Sequence, residues 1–415
     1  MSNRGKDDFD EILEVPSFEY KDRDARIAEA SGKGKKKAKK KKKNHKNSKF
    51  YKFTRILAFV YLIGLVAFES VLVIMDVLPA PTLIALVVVM SLLSVVLFIQ
   101  LFFKNIKMWA KVIATFMSVI LILVYGVGSA YALGTLSFLD TIGTNTENKN
   151  SVNVTREPFN ILITGMDVDG TVDNQGRSDV NMLVTINPST GEMLMTSIPR
   201  DYQIRMVNHG NATDKITHTG FYGVNDTIGA VEDLLDVKVN YYVKVNFDTI
   251  VKFVDAIGGI EVYSEYEFVP VKFDTWTVKK GWQHMTGSQA LAFARERKAF
   301  KEGDNQRIKN QQAVFQAMIK KATSSKTLLL SYTKILSALS DYIEMNMSSQ
   351  EIRALVKIQI AKNIDWKIEK YTLSGHDSSS STYSTGGTKV YVMAQDADSI
   401  ATAKEKINAV LTAEK

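Results

Sequence analysis

The 415-residue chain contains no cysteine. Disulfides, thiolate metal sites and a cysteine nucleophile are thereby excluded, whichever compartment holds the protein. Histidine is scarce as well, with five residues at no ligand spacing and no His-Glu-x-x-His pattern. A Gly-x-Ser-x-Gly elbow and a Walker phosphate loop are also missing, so zinc hydrolysis, serine hydrolysis and P-loop chemistry all lose ground. The formal net charge of +8 owes much to one run, Lys33 to Lys43, which has no interleaved aromatic residues. It therefore does not describe the surface of a folded domain.

Residues 1 to 53 join an acidic opening (Asp7, Asp8, Asp10, Glu11) to that lysine run without the periodicity of a packed element. The composition predicts a disordered basic segment on the cytoplasmic side. The run would lie beside anionic lipid, so anchoring of topology is favoured over nucleic-acid binding, and nucleic acid is not an expected partner. Three apolar stretches follow at 56–78, 80–103 and 112–138, each near or above the about 20 residues that cross a bilayer as a helix. The first apolar stretch begins too far along to be a secretory leader, and no cleavage is expected. Pro79-Ala80-Pro81 suits a tight external turn, and Lys104, Lys107 and Lys111 belong inside. The N-terminus is thus expected in the cytoplasm, with a multi-pass anchor at 54–138, a tether at 139–156 and an extracytoplasmic domain at 157–415. Asp76, at the edge of the first span, fits an interfacial position better than a buried one. Gly126, Ala130 and Gly134 recur every fourth residue and predict close helix packing.

Beyond the tether, hydrophobic patterning predicts an α/β domain with a mixed, partly antiparallel sheet flanked by helices. Asn160–Thr164 reads as a buried strand, and Asn181–Asn187 and Glu192–Ile198 flank a Pro-Ser-Thr-Gly turn as a hairpin. Tyr241–Phe247, a helix capped by Asp248 and the strand Ile260–Tyr263 read as a βαβ unit. Asp304 is expected to cap a helix through Ala322, and Ser348 with Glu351 to form a capping box. Strands near 366–373 and 389–393 and a last helix from 396 complete the domain.

Chemistry-bearing residues gather at the predicted strand and loop ends: Asp167, Arg177, Asp179, Arg200, Asp201, Arg295, Arg297 and Arg307. Two carboxylates can hold a magnesium ion that keeps several waters, while guanidinium forks bind phosphate oxygens. The inventory suits a polyphosphate, although loop aspartates often only cap turns and arginine pairs are often surface features. Arg295 and Arg297 share a face only if the helix from Gly287 has become extended by then. Arg307 and Gln311 share a face of a helix as they stand.

Six pieces occur in order: Asn160-Ile-Leu-Ile-Thr-Gly-Met-Asp167, Arg177-Ser-Asp179, Ser197-Ile-Pro-Arg-Asp201, Val254-Asp-Ala-Ile-Gly-Gly259, Ala290-Leu-Ala-Phe-Ala-Arg-Glu-Arg297, and Gly303-Asp-Asn-Gln-Arg307 followed by Gln311-Gln312. Over 158–325 they resemble the LytR-CpsA-Psr family, and the three-helix anchor is similar to its CpsA-like branch. The resemblance implies a phosphotransferase that moves a glycopolymer from a polyprenyl pyrophosphate carrier to peptidoglycan. By position it implies magnesium, with manganese as an alternative, on Asp167 and Asp179. It also implies pyrophosphate contacts from Arg177, Arg200, Arg295, Arg297, Arg307 and Gln311, with Lys215 nearby. Asp201, beside Arg200 at a strand end, is the candidate to orient or deprotonate the acceptor hydroxyl, the alternative being that it only buttresses that arginine. Segments 247–254 and 231–235 are candidate linings for the lipid tail, with ordinary core packing as the plainer explanation. Two positions depart from the family pattern: Asp169 replaces a frequent arginine, and Gly223-Val224 replaces a double glycine. A membrane-anchored regulator and a pyrophosphate hydrolase remain as alternatives. Capsular polysaccharide is the favoured cargo over rhamnose-rich polysaccharide or teichoic acid. Membrane lipids and capsule or wall assembly proteins are the further expected partners.

Overall fold

The computed structural model describes residues 18–142, 148–167, 176–271, 276–324, 335 and 342–414. The acidic opening and the position of Asp169 lie outside them. Three long helices come first: α1 (Phe18–Met75), α2 (Ala80–Phe102) and α3 (Met108–Ile142). Within them Ser48–Met75, Ala80–Phe102 and Met108–Ser137 are long and apolar enough to cross a membrane, and they anchor the protein. The expected disorder of the basic segment is not what the structure has, because α1 already begins at Phe18. Lysine is a good helix former, and Lys33 pairs with Glu29 one turn earlier. The small-residue stripe also needs correction: Gly126, Ala130 and Gly134 are exposed. The close approach occurs at Gly128, where an added Cβ would lie 2.7 Å from the Phe68 ring. Residue 128 sits about 200° around the helix from residue 126, so only one of the two can face that ring.

The C-terminal domain is built on six strands: β1 (Phe159–Met166), β2 (Ser178–Asn187), β3 (Glu192–Ile198), β6 (Tyr241–Val245), β9 (Ile343–Met345) and β10 (Lys367–Thr372). Their order is β10-β3-β2-β1-β6-β9. β2 runs antiparallel to β1 and β3, whereas β6 lies parallel to β1 and β10 parallel to β3. The sheet is therefore mixed, as the patterning predicts. The β2–β3 turn is set by Asn187, whose side-chain oxygen accepts from the Ser189 amide at 3.0 Å, and by Gly191 at φ 75°.

Both faces of the sheet are covered, which explains why β2 reads as a nearly continuous apolar run. Met182, Val184 and Ile186 pack with α5 (Phe247–Ala256), α6 (Gly287–Arg295) and α7 (Asp304–Ala322). Leu183, one residue out of phase, joins Leu162 and Leu194 against α4 (Val224–Leu235) and α9 (Ala397–Thr412). Segments 231–235 and 247–254 thus belong to different cores on opposite faces and cannot line one tail channel together. The alternation of side chains along a strand imposes that separation.

Three further expectations change. The cap of α5 is Asn246, whose side chain accepts from the Thr249 amide in a capping box, and Asp248 sits inside the first turn. The strand after α5, β7 (Ile260–Ser264), does not join β6 in a βαβ unit. It pairs antiparallel with β8 (Gly281–Met285) in a separate hairpin. Helix α7 starts at Asp304 itself, with Gly303 at φ 53° as its uncapped N-terminal neighbour. The Ser348–Glu351 capping box opens α8 (Ser349–Lys362) as expected. Two small antiparallel pairs complete the fold: β4 (Gln203–Met206) with β5 (Ala212–Lys215), and β11 (Gly375–Ser381) with β12 (Lys389–Gln395).

Candidate active site

Strands β1, β3, β6 and β10 share one direction, so their carboxyl ends and the start of β2 meet at one end of the sheet. Asp167 follows β1, Arg177 and Asp179 stand at the start of β2, and Arg200-Asp201 follow β3. A buried network holds this end in place: Thr164 Oγ1 lies 2.7 Å from Ser178 Oγ, and Asn181 Nδ2 donates to the Ser178 carbonyl at 2.9 Å. Gly220 lets the segment 216–221 approach, because an added Cβ would lie 2.4 Å from the Gly176 carbonyl oxygen. That approach brings Thr217 to Asp179, to whose Oδ1 its hydroxyl donates at 3.2 Å.

Arg200 is the hub. Its Nη1 donates to Asp179 Oδ2 at 3.2 Å, and its Nε lies 3.5 Å from Asp201 Oδ2 and 3.9 Å from Asp304 Oδ1. Burial would lower its pKa, but the carboxylates of Asp179, Asp304 and Asp201 outweigh burial and raise it. Arg307, only 7% exposed, reaches the same Asp304 Oδ1 at 2.9 Å. Its pKa is lowered, chiefly by burial, since Asp304 offsets too little of that cost and Arg200 adds repulsion. The Nε atoms of Arg200 and Arg307 are buried and donate no hydrogen bond to any described residue. A buried guanidinium N–H without an acceptor is costly, and an anionic oxygen placed there would relieve it.

On the adjoining flank Arg295 ends α6, and Glu296 is already extended at φ −69° and ψ 130°, so the chain straightens where the arginine pair required it. The Arg295 guanidinium carbon lies 3.7 Å from the centroid of the Phe247 ring, and its Nη2 lies 3.7 Å from Asp167 Oδ1. Arg297 is exposed and lines a 430 Å³ cleft together with Arg200, Asp201 and Asp304. Lys215, at the end of β5, donates to Asp201 Oδ1 at 2.8 Å. Behind it the fully buried Asp214 accepts from the Lys215 and Ser384 amides at 2.7 and 2.8 Å and pairs with His218 Nδ1 at 2.6 Å. Burial would raise the Asp214 carboxyl, but the hydrogen bonds from His218 and Ser384 and that from the Lys215 amide hold it below the usual aspartate value.

The remaining candidates are less central. Arg177 is exposed, and its side chain makes no ion pair among the described residues. Only its carbonyl is engaged, by the Asp167 amide at 3.0 Å. Gln311 is buried one turn beyond Arg307, while Gln312 ties α7 to the sheet by donating to Ser197 Oγ and the Tyr371 carbonyl at 3.0 Å. Asp167 and Asp179 pair with different arginines, Arg295 and Arg200.

Residues 135–407 match the LytR_cpsA_psr family. The chain belongs to the LytR-CpsA-Psr family. The match is wider than the six motifs and reaches into α9. Over 197 residues the chain is 40% identical to the polyisoprenyl-teichoic acid–peptidoglycan teichoic acid transferase TagU of Bacillus cereus (strain AH820). That alignment covers 47% of this chain and 63% of the relative, so the chain spans less than two thirds of the length of that curated relative. Its fold is similar to that of B. subtilis TagV (27% identity, TM-score 0.53, 63% of this chain and 99% of TagV). It is equally similar to TagT bound to LIIa-WTA (27% identity, TM-score 0.53, 65% of this chain and 98% of TagT).

Two residues at this end of the domain are not marked as candidates by the sequence. Asp304 has the pattern of a helix cap, yet it bridges Arg200 and Arg307. Its place inside the Gly303-to-Arg307 motif was the available signal. Tyr391, on β12, lines the 430 Å³ cleft, and nothing in its local sequence marks it.

Proposed function

We propose that the protein transfers a glycopolymer from a polyprenyl pyrophosphate carrier to peptidoglycan on the outer face of the membrane. The observation that carries this reading is the pair formed by half-buried Arg200 and buried Arg307, converging on one carboxylate while each keeps a buried Nε donor unsatisfied. Such a site accepts a polyanion better than a neutral substrate. The name of the Bacillus cereus relative supports a polyisoprenyl donor and a peptidoglycan acceptor. That name also favours a teichoic acid cargo over the capsular polysaccharide expected from the anchor type. The lysine run inside and the lysines between the second and third spans support an extracytoplasmic domain.

In this reading Arg200, Arg307 and Arg297 neutralise the pyrophosphate, and Arg295 holds its charge over Phe247, where the prenyl chain would begin. Asp167 and Asp179 are the carboxylates suited to magnesium or manganese. The described residues include no cluster of three or more metal-ligating side chains, but magnesium needs only one or two carboxylates beside substrate phosphate. The bound metal would supply further neutralisation of the phosphate oxygens. The acceptor hydroxyl oxygen bonds to the glycan-bearing phosphorus as the bond to the bridging oxygen breaks, and polyprenyl phosphate leaves with that electron pair. The hydroxyl proton passes to Asp201, which Lys215 and Arg200 hold in place. Charge stabilisation and alignment provide most of the rate.

The test incubates the full-length protein in detergent with a radiolabelled polyprenyl-pyrophosphoryl glycan, peptidoglycan fragments and magnesium. Label should move to peptidoglycan with the wild type and not with Asp179→Ala. Release of free glycan phosphate instead would make the protein a hydrolase, and inertness toward every donor would return weight to a regulator.

A further inference from the structure

The cleft beside Arg200 has a second wall that the transfer reading leaves unused. One side carries Arg200, Asp201, Arg297, Lys298 and Asp304, and the other Tyr391 and Met393 from β12. Tyr391 and Met393 are two residues apart on a strand and so share a face. The hairpin that carries them is fastened to the catalytic segment. The Met393 amide donates to the Asp201 carbonyl at 2.8 Å, the Gln395 side chain donates to the Gln203 carbonyl at 2.8 Å, and the Ser384 amide reaches buried Asp214. A wall held to the backbone of Asp201 keeps its distance from that carboxylate.

Tyr391 is unusual for a residue in such a position, since its ring is 46% exposed although it faces a charged cleft. Its hydroxyl donates to Asp377 Oδ1 at 2.8 Å, and the Lys215 ammonium lies 5.7 Å from the ring centroid. The phenol is pushed up to about 12, by burial first and then by Asp377, so it stays neutral at any pH a cell wall experiences. The result is an open aromatic face flanked by carboxylates at Asp377 and Asp201. A pyranose ring meets such a surface with its C–H face on the aromatic ring and its hydroxyls toward the carboxylates. A prenyl chain would not gain from the carboxylates, and the cations of the cleft, Arg200 and Arg297, lie on the wall opposite Tyr391, where the pyrophosphate is held.

We propose that this cleft is the acceptor-sugar subsite and that Tyr391 is its stacking platform. The assignment rests on the transfer reading, because the attacking hydroxyl must come within hydrogen-bond reach of Asp201, and Asp201 forms part of this cleft. A sugar lying on Tyr391 places its hydroxyls on that side. The acceptor would then be chosen by a C-terminal hairpin, while the donor is held by residues from the sheet end and α7.

The test uses the full-length protein in detergent, a polyprenyl-pyrophosphoryl disaccharide as donor and an uncrosslinked peptidoglycan glycan oligomer as acceptor. Tyr391→Ala should raise the acceptor KM about tenfold while the donor KM and the release of glycan phosphate without acceptor stay at wild-type values. Tyr391→Phe, which keeps the ring, should stay within about twofold of wild type and confirms that the hairpin is folded. An unchanged acceptor KM in Tyr391→Ala overturns the proposal, and so does a raised donor KM, which would assign the ring to the donor glycan. Calorimetric titration of the oligomer without donor separates this idea from the transfer reading. If the wild type transfers nothing, loss of oligomer binding in Tyr391→Ala still supports a sugar subsite, and unchanged binding removes it.

Discussion

Lys357 Nζ lies 2.5 Å from Asp76 Oδ1, joining α8 of the C-terminal domain to the turn between the first two membrane helices. Asp76 adopts φ 47°, and beside it Arg353 Nη1 donates to the Ile74 carbonyl at 3.2 Å. A cation at the last carbonyls of α1 satisfies groups that the helix leaves unpaired and complements its dipole. Asp76, a carboxylate at the edge of a span, therefore has a partner on the C-terminal domain.

Because the chain has no cysteine, this contact can be tested without background. Asp76→Cys with Lys357→Cys should be joined by a short bismaleimide in native membranes. After cleavage at a protease site introduced into the tether, the C-terminal domain should stay with the membrane fragment. Release of the domain from the treated double variant would show that the two residues do not meet.

Arg295→Ala and Arg297→Ala should each lower transfer by about 100-fold or more, the scale seen when one charge-stabilising donor is removed, without a change in melting temperature. Arg295→Lys should recover only part of the loss, because an ammonium lacks the planar fork and stacks less well over Phe247. Steady-state transfer kinetics with a thermal melt on each variant decide this. Wild-type activity in either alanine variant would remove that arginine from the site.

Chelation with EDTA should abolish transfer, and magnesium or manganese should restore it. Asp179→Ala and Asp167→Asn should raise the magnesium concentration required for half-maximal rate, as expected if both carboxylates belong to one site. A metal titration of the initial rate reads this directly. A rate indifferent to EDTA would turn both aspartates into partners of Arg200 and Arg295 alone.

Asp214 predicts an acid limit. Its pKa is depressed in the folded protein, so its contribution to stability is present above the ordinary value of 3.8 and is lost as pH falls through the folded value. Asp214→Asn should cost about 1–3 kcal/mol near neutrality, from lost hydrogen bonds to His218 and Ser384, and should flatten the decline in stability below about pH 4. Denaturant melts of both proteins from pH 3 to 7 measure the two slopes, and parallel curves would exclude Asp214 as the source.

The sequence by itself determined the three membrane helices, the β2–β3 hairpin, the Ser348–Glu351 capping box and the order of the family motifs. Each rests on something short in range: the apolar length of one segment, the turn chemistry of Asn187 to Gly191, a side chain three residues from its cap, or residues read in succession. It also set the condition under which Arg295 and Arg297 share a face, a helix ending between them, and the extended Glu296 meets that condition. What the sequence left open were pairings across distance. β7 could have joined β6, and only the edges available in the folded domain sent it to β8. Asp304 becomes the bridge between Arg200 and Arg307 because α7 starts where β3 ends in space, although about a hundred residues separate them in the chain. Tyr391 enters the cleft for the same reason, through the hydrogen bond between the Met393 amide and the Asp201 carbonyl. Such contacts depend on which faces are buried and which strand edges remain free, and those are properties of the assembled sheet rather than of any segment within it.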